Sequence, residues 1–174
     1  MIVMKGGSII FRFRICSVIA AVALLAAAGG CGDGKQIENE QAHRKTGLER
    51  IDQGDYEGAV KAFDQALQER VGIVSNLEED INFYKAYAQI ESGKNADAVE
   101  TYSAIIEYDK KNADAYYLRG CAYMSAGQAE DAAADFKKAA DYEKDNGQMY
   151  AGIYEQLVMA GLLDDAAGYL EQGL

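Results

Sequence analysis

The 174-residue sequence contains no proline, no tryptophan, a single histidine and only three cysteines. Each scarcity excludes something. Proline interrupts helices because it lacks an N–H and clashes with the preceding turn, so its absence leaves nearly the whole chain open to helix. The one histidine, His43, has no cysteine or second histidine at ligand spacing. It is expected as an ordinary helix residue, and no metal site is expected. Three cysteines do not make a disulfide framework. Bases are scarce too: 17 Lys+Arg stand against 28 Asp+Glu, a net charge of −11. Three of those bases (Lys5, Arg12, Arg14) fall in residues 1–30, which hold no acid, so the rest has 14 bases against 28 acids. Such a surface repels nucleic-acid phosphates, which excludes nucleic acid as a partner. It also repels anionic lipid head groups, so membrane contact needs an anchor rather than a basic face.

Chemical motifs are missing as well. No GxxxxGK[ST] phosphate loop and no D-x-D-x-D-G calcium loop occur, and no nucleophile has a visible set of partners. The chain is therefore expected to be non-enzymatic, with no catalytic residue and no cofactor. Carboxylate pairs such as Glu78-Glu79 and Asp164-Asp165 stand at helix starts, where they favour the dipole.

What is present begins with an address. Behind the three early bases, Ile15 to Ala28 carries no charge. That is a positive segment followed by an apolar one of signal-peptide length, shorter than the roughly 20 apolar residues of a membrane span. Ala28-Gly29-Gly30-Cys31 then leads into polar GDGKQ. This resembles the lipobox of bacterial lipoproteins, although Ala28 stands where that family usually has Leu. The resemblance implies cleavage before Cys31, lipidation of Cys31, and a protein anchored to the cell membrane facing the extracellular side or periplasm. Two acyl chains suffice for durable anchoring. Residues 1–30 are then the signal, with Cys16 leaving with it, and 31–39 a polar tether.

The remainder repeats. GDYEGAVKAFDQAL (54–67), GKNADAVETYSAII (93–106), GQAEDAAADFKKAA (127–140) and GLLDDAAGYLEQGL (161–174) each open on glycine and carry alanine five residues later. Nine residues after the glycine stand Phe63, Tyr102, Phe136 and Leu170. The last two glycine spacings are 34 residues and the first is 39. The pattern resembles the tetratricopeptide repeat, a 34-residue helix–turn–helix unit. The resemblance implies an all-α fold, an α-solenoid of about four such repeats over 40–174 (about 40–73, 79–112, 113–146 and 147–174). The small residue of each first helix is Gly47, Ala86 and Gly120, while Tyr154 departs from it. The family's proline after the second helix is replaced by Lys110 and Lys144, with Asn112 and Asn146 as polar turn residues. The extra residues between the first two repeats leave two readings. Either the helix continues to about Val74, or a loop begins near Gly72. Ser75-Asn76 with Glu78-Glu79 reads as a helix start.

The family's groove is lined by the first helix of each repeat. That assigns a peptide-binding set of Arg44, Leu48, Ile51, Phe83, Tyr87, Ile90, Tyr117, Cys121, Met124 and Glu155, aromatic and apolar in the middle with acids at one rim. The alternative for each tyrosine is packing between helices, and for Cys121 a buried small apolar residue. Leu48 and Asp114 stand where the family's clamp for acidic peptide tails has polar or basic groups, so an apolar or basic ligand segment is expected. The resemblance implies a protein–protein interaction scaffold binding a protein or peptide. The alternative is an accessory or substrate-binding subunit of a cell-envelope enzyme or secretion complex. The last hairpin is expected to fray or to expose apolar surface around Leu162, Leu163 and Leu170, or to self-associate through it.

Overall fold

A computed structural model describes residues 34–69 and 76–172 of the chain. Among them are eight helices and no strand: α1 Gly34–Asp52, α2 Tyr56–Gln68, α3 Asn76–Glu91, α4 Asn95–Tyr108, α5 Ala113–Ser125, α6 Ala129–Tyr142, α7 Gly147–Met159 and α8 Leu163–Gln172. They form four antiparallel hairpins, each a first helix (α1, α3, α5, α7) followed by a second (α2, α4, α6, α8). The fold is an α-solenoid, as the repeat pattern implies.

The recurring glycines make the hairpin turns. Gly54, Gly93, Gly127 and Gly161 have φ of 75°, 80°, 77° and 78°, a left-handed conformation that costs glycine little. In each turn the next N–H reaches back to a carbonyl five residues earlier, as in Asp55 N to Arg50 O at 2.9 Å and Leu162 N to Leu157 O at 2.9 Å. This closes the helix end and reverses the chain. Side chains cap the other ends. Asn112 Oδ1 accepts from Ala115 N at 2.9 Å and Asn146 Oδ1 from Met149 N at 3.0 Å, so these asparagines start α5 and α7 without proline.

Burial follows the register. Phe63, Tyr102 and Phe136 are fully enclosed. A Cβ on Gly120 would lie 2.6 Å from Phe136 Cε1, and Phe63 crosses Gly47 in the same way. The small residue and the ring are complementary halves of one contact. The fourth hairpin has Tyr154 and Leu170 at these positions, with the large residue on the first helix instead.

The structure departs from expectation at two boundaries. Residues 34–39, expected as tether, are the start of α1. Lys35, Gln36 and Glu38 are good helix formers, and no glycine or proline stands between Lys35 and Thr46 to stop them. α2 ends at Gln68 with Glu69 as its cap, before both expected boundaries. Val74, Gly72 and Ser75 lie outside the described residues, as do Cys31 and the whole signal segment.

Candidate functional site

The first helices lie side by side, α1 against α3, α3 against α5, and α5 against α7, so the groove residues of successive repeats share one face. Their depths differ. Phe83 is half-buried, its ring 6.0 Å from that of Tyr102. Tyr117 is half-buried against Phe136 at 6.0 Å, and its hydroxyl end reaches across to Gly152 of α7. Ile90, Met124, Leu48 and Ile51 are half-buried, and Leu48 and Ile51 also pack on the core around Phe63. Glu155 is exposed on α7.

Two of the expected groove residues are enclosed. Tyr87 is 5% exposed, its ring edge-on to Tyr56 at 6.3 Å. Cys121 is 3% exposed, and burial pushes its thiol up to about 12, partly offset by a hydrogen bond from Tyr117. A thiol held protonated is a poor nucleophile. Tyr87 and Cys121 therefore form the floor under the groove rather than a surface for contact. Of the readings open from the sequence, burial of Cys121 and packing of Tyr87 between helices are the ones the structure shows.

Arg44 is spoken for within the fold. Its guanidinium pairs with Asp80 and stacks 5.5 Å from the centre of the Tyr84 ring. It joins α1 to α3 and is not held out toward an acidic ligand.

Acids line the starts of α3 and α5. Burial raises the Glu79 carboxyl above the usual range; a hydrogen bond from Asn112 opposes this, while Asp109 and Asp80 add to it. Asp114 is raised by burial and then by Glu143 and Glu79. No described cation pairs with Asp114. A positive charge arriving here would relieve repulsion already present in the fold.

Sequence reading missed one network. Arg119 of α5 holds Asp135 of α6 through two hydrogen bonds, Nε–Oδ2 at 2.6 Å and Nη2–Oδ1 at 2.8 Å, and donates a third to Ser103 Oγ at 2.9 Å. It lies 5.5 Å from the Tyr116 ring centre and 5.8 Å from that of Tyr123. An arginine and an acid at the same depth on paired helices of one hairpin were the only available signal.

Among the described residues no group of three or more His, Cys, Asp or Glu side chains is placed to hold a metal ion, and no helix is long and apolar enough to cross a membrane.

Comparison with known proteins agrees with this geometry. Two family models, both described as tetratricopeptide repeat, match residues 50–120 and 113–146. A crystal structure of MamA is similar over 99% of this chain and 94% of its own, at 18% identity and a TM-score of 0.63. YrrB, described as a TPR protein with an unusual peptide-binding site, is 13% identical over 77% of this chain and 66% of its own, with a TM-score of 0.60. The first TPR of Spaghetti (RPAP3), solved bound to the HSP90 peptide SRMEEVD, is 16% identical over 72% of this chain and 95% of its own, with a TM-score of 0.59. At these identities the likeness carries the fold alone. A search of curated protein sequences finds no match.

Proposed function

The chain carries tetratricopeptide repeats across residues 50–146, and we propose that it is a non-enzymatic interaction scaffold that binds a protein or peptide segment in the groove of its first helices. Proteins built of such repeats are generally scaffolds, and two of the similar structures are described with a peptide or a peptide-binding site. The ligand segment is apolar and basic. The observation that carries this is half-buried Phe83 and Tyr117 with acids one turn earlier on the same helices: Glu79, which accepts from the neutral Asn112 amide, and Asp114, with which no described cation pairs. Aromatic side chains anchor ligands at limited entropic cost. Replacing both Phe83 and Tyr117 by alanine should weaken the native partner at least tenfold, and unchanged affinity refutes the site.

The second part of the proposal is the anchor. The bases, the apolar segment and Ala28-Gly29-Gly30-Cys31 support a mature chain that begins at a lipidated Cys31 and sits on the outer face of the cytoplasmic membrane or in a periplasm. Mass spectrometry of the membrane fraction tests it: the N-terminal peptide should begin at Cys31 with acyl groups attached. An unmodified Cys31, or one internal to the mature chain, contradicts it.

A further inference from the structure

The second helices α2, α4 and α6 each pack one face under the first helix that follows. On α2 that face is Tyr56, Ala59, Phe63 and Ala66, and α3 covers it with Leu77, Ile81, Tyr84 and Ala88 at i, i+4, i+7 and i+11. Counted from the turn glycines, Leu163, Ala166 and Leu170 of α8 occupy the places of Tyr56, Ala59 and Phe63; Ala166 is buried, and the two leucines are exposed. Phe63 is 0% exposed, whereas Leu170 is 46% and Leu163 63% exposed. Met159, at the end of α7, is 75% exposed. These are three of the six large apolar residues exposed in the described chain, gathered on one hairpin. Leu163 and Leu170, seven residues apart on α8, share a helix face and offer exposed apolar surface of the kind docking sites use.

A second copy does not fit it. Head-to-tail stacking would lay α1 on α8, and the α1 residues in the places of Leu77, Ile81, Tyr84 and Ala88 are Glu38, Ala42, Lys45 and Glu49, all exposed. That face is a polar cap. Tail-to-tail pairing would bring together two hairpins that hold Glu155, Asp164, Asp165 and Glu171 and no Lys, Arg or His between residues 147 and 174. Like charges meeting across an interface oppose association. The same charge favours a cation-bearing partner.

We infer that the exposed face of α8 docks an amphipathic helix of a basic partner, with apolar residues at the i, i+4, i+7, i+11 spacing of α3 and lysine or arginine on its flanks. The site is separate from the first-helix groove. The helix α3 supplies the template for shape, and the charge of the last hairpin supplies the preference for bases.

The probe is a labelled peptide with the sequence of Asn76–Glu91 in which Glu78, Glu79, Asp80 and Glu91 are replaced by lysine. Fluorescence anisotropy with the full chain should show binding that weakens as salt is raised. The unaltered acidic peptide should bind at least tenfold more weakly. The double variant Leu163→Lys/Leu170→Lys should lose at least tenfold in affinity, and the milder Leu163→Ala/Leu170→Ala should also lose affinity. Both keep their helix content in circular dichroism, since the positions are exposed. Because the groove also takes apolar, basic segments, the probe is titrated on the Phe83→Ala/Tyr117→Ala chain too, where the loss caused by Leu163→Lys/Leu170→Lys should persist; this separates the α8 face from the groove. Equal affinity of the acidic and lysine peptides overturns the inference, as does undiminished binding by both Leu163/Leu170 variants. Sedimentation of a dimer that Leu163→Lys/Leu170→Lys dissociates overturns it in favour of a second copy.

Discussion

Asn112 donates a hydrogen bond from Nδ2 to Glu79 Oε1 at 2.7 Å, tying the start of α5 to the start of α3. Once the inserted residues of the first repeat are allowed for, Glu78 and Glu40 hold the matching places between α3 and α1. There the donor is replaced by a carboxylate. Glu40 and Glu78 are both buried, and Glu40 Oε1 has no hydrogen-bond partner.

This predicts a pH dependence. Burial, and then the charge of Glu78, raises the Glu40 carboxyl above its ordinary value near 4.5. A raised carboxyl favours the protonated folded state. Its contribution is complete below the unfolded value and is lost as pH rises through the folded one. Glu40→Gln supplies a neutral amide in that place. Its melting temperature should equal that of the unaltered chain near pH 4 and exceed it by a growing margin toward pH 7. A margin independent of pH in thermal scans refutes the role of Glu40.

Glycines of similar appearance should respond with opposite signs. At Gly120 a new Cβ would meet Phe136, which has nowhere to move. Overpacking costs about 1–3 kcal/mol, against about 1 kcal/mol gained in helix propensity. Gly120→Ala should therefore destabilise. At Gly168, inside α8, an added methyl group would have nothing within 4 Å of it. Gly168→Ala should stabilise by up to about 1 kcal/mol. Urea denaturation of the two variants distinguishes them, and a shared sign contradicts the packing account.

How much of this was legible in the sequence depends on which force set it. The turn glycines and the capping asparagines were readable because their backbone requirements are local. The small-and-ring pairing of Gly120 with Phe136 was readable because it recurs at fixed register. The start of α1 was not: its capping face is polar, so no apolar period marks it. The depth of Tyr87 was not readable either, since it depends on Tyr56 of α2 lying edge-on to it across a helix boundary, whereas burial of Cys121 as a small apolar residue was legible.

Arg119 and Asp135 form a largely enclosed pair, with side-chain exposures of 16% and 5%. Arg119→Ala leaves Asp135 without its partner. Breaking such a pair costs about 3–5 kcal/mol. Arg119→Lys keeps the charge but not the two-pronged geometry, so its stability should fall between those of the alanine variant and the unaltered chain. Chemical denaturation should rank them in that order. An alanine variant as stable as the lysine one contradicts it.

Tyr102 is fully buried and its hydroxyl has no partner. Burial raises it far above the ordinary tyrosine value, with Cys121 adding to the shift. Removing an unsatisfied buried donor is neutral or favourable, by about 1 kcal/mol. Tyr102→Phe should unfold at the same or a higher urea concentration. A clear loss of stability would show that the hydroxyl has a partner.

Binding of an apolar, basic segment in the first-helix groove is tested most directly by selecting random peptides against the Leu163→Lys/Leu170→Lys chain, in which the α8 face is blocked. Enriched peptides should combine lysine or arginine with apolar residues and lose at least tenfold in affinity when Phe83 and Tyr117 are both alanine. Enrichment of acidic peptides, or affinity indifferent to Phe83 and Tyr117, would contradict the account.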